Sequence, residues 1–290
     1  MGRSTRHTRT MMLLAVALLV LVPGTALLAN PVQGSYVQAE LGSTVATIQP
    51  GASFWVVLHL RMEDGWHTYW RNPGDAGLPT AIRWVLPAGF TAGDMVWPYP
   101  QRLPVGPLMN YGYEGEVALF TQITAPAHLP PEQFVTLQAH TTWVACAELC
   151  LPGTATLDLH LPISPEAPQA DARWAAVLAQ TQASLPQPAS WQAVFSGDQD
   201  TLTLLLASPH FATTGIAEAM FFPLEYGMID HAAPQQVEIT PQGLRLTLRR
   251  GTLDGTNLPR IDGVLVLQGK GDRASPARAF TMSAVPAKAS

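Results

Sequence analysis

Along residues 54–60 the side chains alternate, with Phe54, Val56, Leu58 and Leu60 on one side and Trp55, Val57 and His59 on the other. A period of two predicts a strand, because a helix would repeat its apolar face every three or four residues. Short runs at 45–48, 82–86, 117–124, 134–144 and 155–161 are similarly rich in Val, Thr, Ile and aromatics. Turn-forming clusters such as Asn72-Pro73-Gly74-Asp75 and Pro98-Tyr99-Pro100 separate them, which is the punctuation of a β-sandwich. The pattern changes at 164–190, where Pro165 and Pro168 open an Ala/Gln-rich stretch that predicts one short helix at 170–182. Leu185-Pro186-Gln187-Pro188 closes that stretch, and runs at 201–206, 220–222, 237–239, 244–249, 264–267 and 279–282 again predict strands. The expected architecture is all-β: a first sandwich domain at 30–163, a helical linker at 164–190 and a second β-sandwich domain at 191–290. No sequence repeat relates the two halves.

Composition narrows the picture. The chain has 290 residues, 47% hydrophobic and 13% charged, which is the balance of a folded protein. Its 23 glycines and 26 prolines are about 17% of the whole, against roughly 12% in average proteins, and their even scatter excludes a helical bundle. The formal charge of -5, with Lys270 and Lys288 the only lysines, gives no basic patch for a nucleic acid to recognise.

Residues 1–29 have the form of a signal peptide. Arg3, Arg6 and Arg9 precede an unbroken apolar run from Met11 to Val22, and Gly24-Thr25-Ala26 supplies the small residues a signal peptidase reads. Twelve apolar residues rise only about 18 Å as a helix, short of a hydrocarbon core of about 30 Å; retention of Ala26-Leu27-Leu28-Ala29 would lengthen the run into an anchor. The cleaved chain is expected to be exported and acidic, with 13 basic against 21 acidic residues and no membrane span of its own.

An exported chain can hold a disulfide, and Cys146 and Cys150 are the only cysteines. Four residues of extended strand would separate their Cα atoms by about 13 Å, whereas a bridge needs about 4.4 to 6.8 Å, so the segment must turn between them. Strand patterns on both sides place the pair at a hairpin tip. Closing so small a ring removes chain entropy worth only about 2 kcal/mol, little for a purely structural staple. Two readings stand: a local clip on a β-sandwich, or a dithiol that opens and closes by exchange with a partner's cysteines. Glu148 lies between the cysteines and no Lys, Arg or His lies within five residues of either. A neighbouring carboxylate disfavours a thiolate, so the expectation is a pair sluggish in free solution that a docked partner must activate.

Several segments resemble the N-terminal periplasmic domain of the thiol:disulfide interchange protein DsbD, and more closely its relative ScsB. They are Asp64-Gly65-Trp66-His67-Thr68-Tyr69-Trp70-Arg71-Asn72-Pro73-Gly74-Asp75, Trp97-Pro98, Tyr111-Gly112-Tyr113-Glu114-Gly115 and the stretch from Trp143 to Gly153. Phe221-Phe222-Pro223 and Asp230-His231-Ala232-Ala233-Pro234-Gln235 are similar to the second domain of the ScsB type. The resemblance implies an immunoglobulin-like sandwich whose cysteine pair takes electrons from a membrane-embedded thiol reductase and passes them to periplasmic thioredoxin-fold proteins. Disulfide isomerisation, cytochrome c maturation and copper tolerance are the processes it implies, and it implies no cofactor. By position it makes Cys146 and Cys150 the redox pair, with Cys146 forming the mixed disulfide. Tyr111 and Gly112 fall in the loop that caps the pair, with Asn110 where DsbD carries Phe, and Tyr69 and Trp66 fall at aromatic positions lining the site.

Other chemistry has weaker support. Eight tryptophans could stack on sugars, but aromatics in a sandwich are more often core. Met62, Met95, Met109, His67 and His140 could serve a soft metal ion, yet none lies at ligand spacing from the cysteines, so no metal site is expected. Asp64, Asp75, Glu114 and Glu116 sit in turn-like segments where carboxylates are usually just solvated. His231 reads as a packed or surface histidine, and the second domain as a spacer or docking element without chemistry of its own.

Overall fold

The structure is a computed structural model and describes residues 31–130, 133–213, 215–253, 258–270 and 277–287. The expected signal peptide at 1–29 lies outside the described residues. The first domain contributes strands β1 (Val32–Gly34), β2 (Val37–Ser43), β3 (Ser53–Met62), β4 (His67–Gly74), β5 (Ala81–Val85) and β6 (Thr91–Val96). It continues with β7 (Gln101–Val105), β8 (Leu108–Glu114), β9 (Glu116–Thr124), β10 (Phe134–Cys146) and β11 (Cys150–Pro162). Helix α1 (Ala172–Gln182) follows. The second domain holds β12 (Gln187–Pro188), β13 (Gln192–Gly197), β14 (Thr201–Ala207), α2 (His210–Thr213), β15 (Ile216–Pro223), β16 (Gln236–Thr240), β17 (Gly243–Arg249), β18 (Ile261–Gly269) and β19 (Arg278–Pro286).

In the first domain a five-stranded sheet in the order β1-β2-β3-β9-β6 faces a six-stranded sheet in the order β11-β10-β4-β8-β7, with β5 also pairing β10. The two sheets pack in an immunoglobulin-like arrangement. Phe54, Val56, Leu58 and Leu60 of β3 point into the shared core, as their alternation requires. The opposite face of β3 is not wet, because Val57 is fully buried with Ala118, Phe120 and Trp174 of α1. Asp171 caps the helix, its carboxylate accepting from the backbone N–H groups of Arg173 and Trp174. Both guanidinium ends of Arg173 meet Glu40, at 2.6 and 2.7 Å. Gly42 makes room, since a Cβ there would lie 2.0 Å from the Trp174 ring. The helix expected as part of a linker is therefore a third layer on the first domain. Residues 45–48, expected as a strand, instead make isolated bridges, Val45 to Ala170 and Ile48 to Ile163, because the chain after β11 runs beside them.

The second domain is all β in a different way. Its strands form one eight-stranded sheet, β15-β18-β19-β13-β14-β17-β16 with β12 beside β19, curved around its own apolar cluster. Phe221 and Leu265 point into that cluster, whereas Phe222 and Val264 point the other way and join the core of the first domain. Strand alternation on β15 and β18 thus fuses two hydrophobic cores across a single sheet layer.

Candidate functional site

Cys146 ends β10, Cys150 begins β11, and the two are directly opposite in the antiparallel ladder, bonded as a disulfide with Cα atoms 4.1 Å apart. Ala147, Glu148 and Leu149 turn the chain between them, as the sequence spacing demanded. Strand order makes the two sulfurs unequal. Strand β10 is interior, with His67 of β4 in register beside Cys146, whereas β11 is the edge of its sheet. Cys146 is accordingly only 1% exposed, while Cys150 is open to solvent and Leu149 at the tip is 59% exposed. The sulfur expected to form the mixed disulfide, that of Cys146, is thus the buried one, and the sulfur open to an incoming partner is that of Cys150.

Tyr69 touches the buried sulfur, and Asn110 and His67 stand around Tyr69. The Tyr69 hydroxyl donates to Cys146 Sγ at 2.7 Å and lies 3.7 Å from Cys150 Sγ. Tyr69 is wholly buried, and that burial pushes its phenol up to about 12, so it remains a hydrogen-bond donor at any physiological pH. Asn110 of β8 approaches it, Nδ2 standing 3.5 Å from the Tyr69 oxygen and 3.4 Å from His67 Nε2. Asn110 is itself buried, and its Oδ1 has no hydrogen-bond partner among the described residues. Burial also lowers the pKa of His67 below the ordinary histidine value, with Glu114 pulling the other way, so the ring beside Cys146 is neutral near pH 7.

Gly77 completes the enclosure. Its φ of 91° is open to glycine, and a Cβ there would stand 2.1 Å from Tyr69 Cζ, so the loop after β4 passes directly across the phenol ring. The environment is therefore a hydrogen-bonded, desolvated one. The donor shown at the buried sulfur is the neutral Tyr69 hydroxyl.

The remaining expected site residues separate. Gly112 is the ladder partner of Tyr69, and a Cβ on it would meet the Thr68 carbonyl oxygen at 2.0 Å, so its bareness lets β4 and β8 approach. Tyr111 faces away from the sulfurs: its hydroxyl meets His231 Nδ1 at 3.0 Å and its ring packs edge-on against Phe222 at 4.9 Å. Alternation along β8 explains this, since Asn110 takes the sulfur side and Tyr111 the opposite one. Trp66 lies beside the site, stacked on Tyr36 at 4.0 Å, one residue before His67. Sequence reasoning met Asn110 only as the replacement for the Phe of the cap and His67 only as a possible metal ligand, and it passed over Gly77. The position of His67 two residues before Tyr69 on a strand was the signal that could have found it.

Among the described residues no group of three or more His, Cys, Asp and Glu side chains could hold a metal ion, and no helix is long and apolar enough to cross a membrane.

Fold and geometry define a class, an immunoglobulin-like sandwich that carries a half-exposed disulfide at a hairpin tip. Residues 37–162, within the first domain, match the family described as Thiol:disulfide interchange protein DsbD, N-terminal. Among solved structures the chain is similar to the N-terminal periplasmic domain of ScsB from Proteus mirabilis, with 18% identity, a TM-score of 0.62, and coverage of 87% of this chain and 94% of that one. That likeness extends the shared fold across both domains. A conserved domain protein from Bacillus anthracis aligns at 9% identity over 90% of each chain, with a TM-score of 0.22 that is too low to argue from. No curated protein matches the chain.

Proposed function

We propose that the protein is a periplasmic thiol–disulfide exchange module that relays reducing equivalents through Cys146 and Cys150. The observation that carries this reading is the asymmetry of the bridge, with one sulfur exposed on an edge strand and the other buried against a hydroxyl donor. A donor dithiol attacks Cys150 Sγ as its thiolate, forming a mixed disulfide, and Cys146 leaves as a thiolate that the Tyr69 hydroxyl hydrogen-bonds. The donor's second thiolate then attacks its own linked sulfur and releases Cys150, so the donor becomes a disulfide and this protein a dithiol, two electrons having moved. Running the same steps in reverse, Cys150 attacks an acceptor's disulfide and Cys146 resolves the mixed species.

The family of the first domain supports a membrane-embedded thiol reductase as donor and thioredoxin-fold proteins as acceptors. The charged-then-apolar leader and the periplasmic origin of the similar ScsB domain support the compartment. Tyr69 is the residue we assign to stabilising the leaving sulfur, and Asn110 and His67 surround it.

Equilibration with glutathione buffers tests the reading. A reduction potential above about -300 mV is expected, and a bridge that resists reduction below that range would make it a structural staple. A Cys146→Ser variant should trap partners as mixed disulfides on Cys150, and Cys150→Ser should trap far fewer; the opposite ranking would overturn the assigned order of attack.

A further inference from the structure

Strands β4 and β8 each show one face to the disulfide and the other to the second domain. On β8, Asn110 points toward Tyr69 and His67 while its neighbour Tyr111 reaches His231 and Phe222. On β4, Tyr69 meets the sulfurs while Trp70 packs edge-on to Phe222 at 6.2 Å. Regular pairing of β4 with β8 breaks between Tyr69 and Gly74. Such irregularities re-aim side chains and cluster beside functional sites.

That break delivers Asn72 to the second domain. Its Nδ2 donates to the carbonyls of Pro223 at 2.8 Å and Glu225 at 3.2 Å, while its Oδ1 accepts from the N–H of Gly74 at 3.1 Å. Asp75 closes the segment by accepting from the N–H of Met109 at 2.7 Å, and two residues later Gly77 lies against the Tyr69 ring. On the far side, Arg102 of β7 donates to the His231 carbonyl at 2.8 Å, and the Asp230 carboxylate shapes the His231 loop by accepting from the N–H groups of Ala232 and Ala233. Asn72, Tyr111 and His231 are all buried, so the Asn72–Pro223 and Tyr111–His231 bonds are made away from competing water.

We propose that the second domain is a positioning element for the sulfur pair: His231 on Tyr111, and the Pro223 and Glu225 carbonyls on Asn72, hold β8 and β4 so that the Tyr69 hydroxyl stays in reach of Cys146. Asn72, Tyr111 and His231 are positioning residues, since none touches sulfur. The inference rests on the exchange reading above. A hydrogen bond to a thiolate is stronger than one to a disulfide sulfur, so loosening Tyr69 disfavours the reduced form.

The test uses the full-length mature protein. Redox equilibrium against glutathione and the thiolate titration of the reduced protein, read by its ultraviolet absorbance, are compared for wild type, His231→Ala, Tyr111→Phe, Asn72→Ala and His231→Asn. Tyr111→Phe keeps the ring packing and removes only the hydroxyl, which guards against a variant that merely fails to fold. Expected is a roughly three- to tenfold shift of the equilibrium toward the disulfide and a thiolate that forms at higher pH in the first three variants. His231→Asn, whose amide replaces the Nδ1 contact, should recover most of both. Folded variants with wild-type equilibrium and titration would overturn the positioning role and leave the exchange reading intact. A wild-type bridge that glutathione cannot open would remove both together.

Discussion

The two domains bury different kinds of residue. The first encloses His59, His67, Thr68, Asn72, Thr80, Asn110 and Thr141 among its apolar side chains, whereas His231 is the one buried polar or charged residue among the described residues of the second, and it belongs to the boundary with the first. Burying polar groups costs stability unless each finds a partner, so a domain that keeps many uses them for more than cohesion. The second domain is closer to a plain apolar core, with Leu204, Leu244, Leu246 and Leu265 all fully enclosed. The contrast teaches where the chemistry sits, and why a chemically quiet domain can still matter to it.

That contrast can be tested, beginning with the largest effect. Replacing either cysteine by serine should abolish exchange turnover entirely, and residual turnover with both absent would move the chemistry elsewhere. Leu246→Ala in the second core should cost about 2–5 kcal/mol by denaturant unfolding while leaving the redox equilibrium of the folded protein unchanged. A shift in that equilibrium would show the two cores to be more tightly coupled than their opposite strand faces suggest. Gly77→Ala combines a positive φ with a collision on the Tyr69 ring, and should cost about 1–3 kcal/mol together with a detectable change in reduction potential. Tyr69→Phe should move the redox equilibrium by about 1 kcal/mol toward the disulfide while stability changes less, because the ring packing is kept and only the hydroxyl's contacts with sulfur and Asn110 are lost.

The smallest effect is with pH. Burial lowers the pKa values of His59, His67 and His231, with Glu116, Glu114 and Asp75 respectively the largest opposing influences. A group that binds its proton less readily when folded destabilises the fold on acidification, so stability should be complete above the unfolded value of about 6.5 and decline as pH falls below it. Melting temperatures measured between neutral pH and about pH 5 should fall, and a flat profile would mean these rings are not held as described.

Much of the fold was legible in residue order. The strand at 54–60, the long runs flanking the cysteines, the helix ending at Gln182 and six strands of the second domain appear where alternation and turn residues indicated them. Strand β4 was hidden because Asn72-Pro73-Gly74-Asp75 carries turn chemistry, which here serves the break in pairing after Tyr69. Strands β6 to β8 lack strong alternation and are held by neighbours rather than by their own pattern. Strand β13 at Gln192–Gly197 was too short and mixed to stand out.

Sequence by itself determined that the cysteines must meet across a turn, since extended backbone cannot bring Cα atoms four positions apart into bonding range. It also determined which faces of most strands are apolar, because side-chain direction has a fixed period of two. Only the tertiary structure decided which sulfur faces solvent, because edge and interior strands look alike along the chain. Likewise only the assembled sheets decided that Tyr111 would turn to the second domain and Asn110 to the sulfurs, a one-residue difference set by ladder register and by what lies on each side of the layer.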